Sequence, residues 1–243
     1  MIHNYQSFID ALLGAGFSGA VGGKDDGVIC LFRYGWGAEE ETGVVWHTGD
    51  PDTDPWEWRM RVLNERNDIA YAKVFFKKAG YITKDWYPYF LAARRGVGSV
   101  GVGSSGVSGN TAFQDEYADG TISHFAKRIY ETVVANISLP AHEIKRRAGF
   151  KREDAPRFDS ALNELQMKLY LTICGLEQKL SRAGEEYGWH STVFCTPETF
   201  WPPEVFERAA ALTSGEAVDA LAERIFNLHP EADPGKVYKF IKG

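Results

Sequence analysis

Residues 121–201 read TISHFAKRIYETVVANISLPAHEIKRRAGFKREDAPRFDSALNELQMKLYLTICGLEQKLSRAGEEYGWHSTVFCTPETFW. The spacing predicts a helix from Ile122 to Asn136, a short Pro-started helix from Leu139 to Ala148 closed by Gly149, and a third from Pro156 to Lys168. Two strand-like runs follow, LYLTICGLEQKL and HSTVFCT, joined by the polar segment SRAGEEYG. Three helices followed by a two-stranded wing is the order of a winged helix, a module used mostly to hold nucleic acid.

In the third helix Phe158, Ala161, Leu162 and Leu165 recur at i, i+3, i+4 and i+7 and form the core face. The outward face carries Arg157, Ser160, Asn163, Glu164, and Gln166 or Lys168. Arg, Asn and Gln are the residue types that read base edges in a major groove. Arg146, Arg147, Lys151 and Arg152 surround the preceding turn and suit phosphate contacts, as do Lys179 and Arg182 on the wing. The competing reading is a solvated helix face in a module used for protein contacts.

Charge bears on that choice. The 243 residues carry a net charge of -6, which weighs against a non-specific DNA coat. The distribution is uneven. Residues 121–200 hold 11 Lys and Arg against 10 Asp and Glu, leaving 16 of the 27 basic and 23 of the 33 acidic residues elsewhere. The acidity therefore sits outside the module, and any cationic footprint is local. At 44% hydrophobic and 14% aromatic residues the chain has ample material for a core, which excludes wholesale disorder.

The N-terminal half reads as α+β. Tyr5, Phe8, Ile9 and Leu12 have helical spacing, broken by Gly14, Gly16 and Gly19. Residues 27–36 and 43–49 read as a strand pair. Asp54, Pro55 and Glu57 give a helix-start signal for a helix to about Arg66, with Trp58, Val62 and Leu63 as its apolar stripe. IAYAKVFF is then a strand, KKAG a turn and YIT its return, before a helix from Lys84 carrying Trp86, Tyr89, Phe90 and Ala93. The expected division is an α+β domain over 1–95, a Gly/Ser-rich linker or loop over 96–120, the winged helix over 121–202 and a C-terminal helical segment over 203–243.

Few motifs carry chemistry. Gly96, Gly98 and Gly101 spell G-x-G-x-x-G, but they follow a predicted helix ending in Arg94 and Arg95 rather than a strand. The run therefore reads as a mobile loop and no cofactor is expected. HTGDPDTD (47–54) alternates acids like a calcium loop, yet Pro55 and Arg61 occupy the positions that need Gly and Glu, so no metal is expected. Trp46, Trp56 and Trp58 surround these acids. This makes Asp52, Asp54 and Glu57 the only catalytic candidates, set against a hydrated turn with a helix cap. G-x-S-x-G, Walker, H-E-x-x-H and paired C-x-x-C patterns are absent. Cys30, Cys174 and Cys195 are odd in number and dispersed, which suits free thiols, with Cys174 and Cys195 in adjacent strands. No apolar run reaches the roughly 18 residues that span a bilayer. MIHNYQSFID lacks the pattern of a signal peptide. A cytoplasmic protein without membrane contact is expected.

The strings DGTISHFAKRIYE, LPAHEIKRRAGF, FDSALNELQMKLYLTICG and KLSRAGEEYGWHSTVFCT, with WHTGDPDTDPWEWRMRVLNERNDIAYAKVFFKKAGYITKDWYPYFLAARR, resemble the small bacterial AlkZ-related proteins. That family is named for its likeness to winged-helix DNA glycosylases that excise alkylated bases and unhook crosslinks. The resemblance implies a winged helix, duplex DNA as partner and a link to DNA repair. It carries over no catalytic residue. The glycosylases use Gln-x-Gln or Gln-x-Asp, and Gln6, Gln114, Gln166 and Gln178 are each followed by other patterns. The lead expectation is a DNA-binding protein without the glycosylase motif. The alternatives are a minimal glycosylase using a carboxylate near Trp46–Trp58, and a protein-interaction module.

Overall fold

The computed structural model describes residues 2–19, 45–95, 111–179 and 184–243. Among these residues the protein is α+β, as expected, with eleven α-helices and one six-stranded antiparallel sheet. The predicted strand at 27–36, the glycine run at 96–110, Cys30 and Arg182 lie outside the described residues.

Helix α1 (Tyr5–Ala15) buries Tyr5, Phe8, Ile9 and Leu12, the predicted stripe. Asn4 caps it by accepting from the Ser7 N–H at 2.8 Å. Gly16 closes it at φ +93, in a place where any Cβ would overlap the Trp86 ring. Strand β1 (Phe17–Gly19) follows, then α2 (Pro55–Glu65), whose buried residues include Trp58 and Val62.

Strands β2 (Ile69–Phe75) and β3 (Lys78–Thr83) form a hairpin. Its turn is the pair Phe76–Lys77, both at positive φ (51° and 61°), and not KKAG. Gly80, the last residue of KKAG, is a strand residue. It lies within the sheet, opposite Gly19 on one side and Ala72 on the other, where a Cβ would collide with the Phe75 ring.

Helices α3 (Tyr87–Arg95) and α4 (Thr111–Ala118) come next. The second of these lies inside the stretch read as linker. Phe113 orders it, stacking on Tyr130 at 3.9 Å. Helix α5 (His124–Val134), strand β4 (Ser138–Pro140), helices α6 (Ala141–Arg147) and α7 (Ala155–Met167), and strands β5 (Thr172–Glu177) and β6 (Ser191–Cys195) follow in turn. The three predicted helices and two strands are present in order. Strand β4 is the addition. Pro140 holds an extended backbone (φ -70, ψ 148), so the helix read from Leu139 begins at Ala141 and the preceding residues pair with β6. The chain ends in α8 (Pro197–Phe200), α9 (Pro203–Ala210), α10 (Ser214–Leu228) and α11 (Pro234–Lys242).

The strand order is β1-β3-β2-β5-β6-β4, with β2 joined to β5 through Tyr71 and Ile173. One sheet thus runs from the N-terminal half into residues 121–202. Both its faces are covered. Ile69, Tyr71 and Tyr81 face a core built with α1, α2 and α4 to α7. Ala70, Ala72, Val74 and Ile82 face a second core built with α3 and α9 to α11. Burial on both faces is why IAYAKVFF is almost continuously apolar. Cys174 and Cys195 are free thiols on neighbouring strands, and the Cys174 thiol donates to Val193 O at 3.7 Å. No helix among the described residues is long and apolar enough to cross a membrane.

Candidate nucleic-acid interface

Helix α7 buries Phe158, Ala161, Leu162 and Leu165 and turns Arg157 and Ser160 to solvent, with Asn163 half-buried beside them. The Arg157 guanidinium lies 3.4 Å from Asp154 and 5.5 Å over the Phe125 ring. An exposed pair of this length is weak and easily exchanged for another anion. Lys151 and Arg152 are exposed in the turn between α6 and α7 and form no ion pair among the described residues. Lys145 sits 3.7 Å from Asp159 and 4.6 Å over the Phe158 ring.

Three residues read onto the outer face are committed elsewhere. Gln166 is buried. Its Oε1 accepts from the Lys73 N–H at 2.9 Å and its amide donates to Leu162 O at 3.0 Å, which ties α7 to β2. The Glu164 carboxylate accepts from the N–H and hydroxyl of Ser123, at 2.9 and 2.7 Å. Lys168 pairs with Glu116 at 2.5 Å, and Glu116 also accepts from the Tyr170 hydroxyl. The usable stretch of α7 therefore runs from Arg157 to Asn163.

On α6, Glu143 takes both arginines. Arg146 approaches its carboxylate at 2.6 and 3.0 Å, and Arg147 at 3.0 Å. The hydrogen bonds from Arg146, then from Arg147, outweigh partial burial and hold the Glu143 carboxyl down at about 2. The stability this contributes is fully present above the ordinary carboxylate range and is lost progressively as pH falls from that range through about 2. The three side chains together present a single net positive charge. Arg147 also donates to Asn136, and these two residues line an open cleft of about 400 Å3 with Arg128, Glu131 and Thr132. The i, i+3 and i, i+4 spacing of Glu143 to the two arginines was a readable signal of this pairing that the sequence reading passed over.

Between β5 and β6 lie Lys179 and the exposed Tyr187 and Trp189. The Tyr187 N–H donates to Lys179 O at 3.0 Å.

The acidic, tryptophan-rich segment is arranged around a helix cap. Asp54 is buried. Burial raises its carboxyl, but hydrogen bonds from the N–H groups of Gly49 (2.9 Å), Trp56 (2.8 Å) and His47 (3.0 Å) prevail, and its pKa lies below the usual range. Residues 45–49 are consequently a loop and not the expected strand, because the donors that would enter a ladder bind Asp54 and His47 turns at φ +62. Asp52 is at the surface, 2.8 Å from Arg61, and Glu57 is half-buried on α2. Trp58 is fully buried and stacked on Phe8, at 5.3 Å and 16°. Trp56 lies at the surface with Arg59 over its ring at 3.5 Å. Trp46 is partly buried against the first core.

A family model described as AlkZ related matches residues 2–242. No curated protein and no solved structure matches.

Proposed function

The chain belongs to the AlkZ-related family, and from that premise we propose that it is a DNA-binding protein whose residues 121–202 act as a winged helix. The observation that carries this reading is topological. Helix α5, strand β4, helices α6 and α7, then strands β5 and β6 follow one another, with β6 lying between β4 and β5. Lys151 and Arg152 in the α6–α7 turn and Arg157 and Ser160 on α7 are exposed, with Asn163 half-buried further along the same helix. In this reading α7 enters the major groove of duplex DNA. Arg157 and Asn163 meet base edges, and Lys151 and Arg152 meet phosphates. Lys179, just beyond β5, follows the neighbouring backbone. Strands β1 to β3 brace the module through the shared sheet, and helices α9 to α11 pack on one face of it.

Affinity measurements test it. Arg157→Ala and Asn163→Ala should each cost about 1–3 kcal/mol on a preferred sequence. Because Glu143 offsets one of the two positive charges of Arg146 and Arg147, Glu143→Gln should tighten binding to every sequence and steepen the salt dependence by about one phosphate contact. Unchanged affinity in all three variants would sink the docking geometry.

No base excision is expected of this protein. The Gln-x-Gln or Gln-x-Asp motif is missing from the sequence. Asp54 spends its carboxylate on three backbone N–H groups. Duplexes carrying N7- or N3-alkylated purines should release no base at protein excess over hours. Release that disappears in Asp52→Asn or Glu57→Gln, with folding intact by circular dichroism, would install a minimal glycosylase instead.

A further inference from the structure

The wing tip presents aromatic surface to water. Trp189 is 88% exposed and Tyr187 53% exposed. One exposed apolar side chain is ordinary, but two on a single fixed turn are a built feature. The Gln178 side-chain amide donates to the carbonyls of both Tyr187 and Gly188 at 3.3 Å. The Tyr187 N–H closes onto Lys179 O. Gly188 takes the left-handed conformation (φ +65) that aims the next residue outward. Trp189 is thus held out by its own hairpin, away from either core.

The size and charge of the tip select its partner. Two aromatic side chains at these exposures offer no more than roughly 350 Å2. A stable protein interface needs roughly 800 Å2 on each side. A single nucleobase face, by contrast, is fully matched by one indole. Glu185 and Glu186 are exposed beside the tip. Their charges repel phosphates, while carboxylates accept hydrogen bonds from the exocyclic amino groups of bases. The combination suits a base and not a backbone, and a base offers its face only where it is unstacked.

We propose that Trp189 is a stacking platform for unpaired bases, so that the protein prefers DNA containing unpaired nucleotides over continuous duplex. This inference rests on the DNA-binding reading above and deepens it. The test is fluorescence anisotropy with the full chain on three probes of one sequence: a continuous duplex, the same duplex with a central unpaired loop, and the single strand. A 2-aminopurine placed in the loop reports stacking. Wild type should bind the looped probe more tightly than the duplex and quench the 2-aminopurine. Trp189→Ala should weaken looped and single-stranded binding roughly tenfold, abolish the quenching and leave duplex affinity within about twofold. Trp189→Phe should retain most of the effect. The exposed position predicts an unchanged melting temperature, which separates these losses from misfolding.

Duplex binding that persists with no loop preference, or with equal losses on all probes in Trp189→Ala, overturns the stacking role and leaves the winged-helix reading standing. Failure of wild type to bind any of the three probes overturns both. Concentration-dependent self-association that vanishes in Trp189→Ala would make the tip a homotypic contact, and would likewise overturn the proposal.

Discussion

Trp58→Ala should lose about 3–5 kcal/mol of stability, the cost of removing a fully buried aromatic side chain and leaving a cavity behind. Trp58 has no exposed surface, stacks on Phe8 and lies 6.4 Å from the Tyr5 ring. Helix α2 buries only Pro55, Trp58 and Val62, so the indole is its principal anchor to α1 and the sheet. The neighbouring rings are themselves fixed, Phe8 against Tyr81 at 5.2 Å, which limits how far the site can collapse. Urea denaturation of the variant should show the shift as a lowered midpoint. The same experiment bears on chemistry. A loss below about 1 kcal/mol would mean that the indole lines an open space, and would return residues 46–58 to consideration as a base-binding pocket.

Arg95→Met should cost a comparable amount, about 3–5 kcal/mol. Helix α3 ends in Arg94 and Arg95, and both reach chain segments far away in sequence. Arg94 donates to the carbonyls of Met167, Phe240 and Ile241 at 2.7 to 2.8 Å. Arg95 is almost wholly buried, pairs with Glu198 at 2.9 Å and donates to Leu169 O. Its guanidinium also covers the Tyr170 ring at 4.3 Å. Methionine fills much of the volume but supplies no donor. The Leu169 carbonyl is then left buried without this bond, and Glu198 without its counterion. Glu198 is 41% exposed, so water recovers part of its loss. The double variant Arg95→Met with Glu198→Met should therefore be more stable than the sum of the single changes predicts. Strict additivity, or a loss under about 1 kcal/mol for Arg95→Met, would show that the pair does not hold α3 to the β5 side of the sheet.

Much of the fold was legible because it is written in short-range patterns. The i, i+3, i+4, i+7 sets of α1 and α7 state which face is apolar, whatever that face meets. Asp54 and Pro55 mark a helix start with local chemistry alone, and the structure adds two further donors to the same carboxylate. The order of elements over 121–201 came from periodicity and turn residues, and the long strings quoted from both halves carried the family. The outward residues of the candidate interface were legible by the same logic, as the remainder of a helix whose core face was known.

What the tertiary structure decided are the matters in which a residue's partner is distant in sequence. Gln166 looked like a surface residue from its neighbours, and became buried because the Lys73 N–H of another strand needs an acceptor. Gly80 looked like a turn, and proved to be a strand residue because Phe75 occupies the space over it. The joining of β2 to β5, which makes one sheet of two apparently separate halves, rests on Tyr71 and Ile173, a pairing that no local pattern encodes. Helix and strand periods specify faces, since they arise from the backbone geometry of a few consecutive residues. Which face meets which is settled by packing and hydrogen-bond satisfaction across the whole chain, and only the folded structure records that outcome.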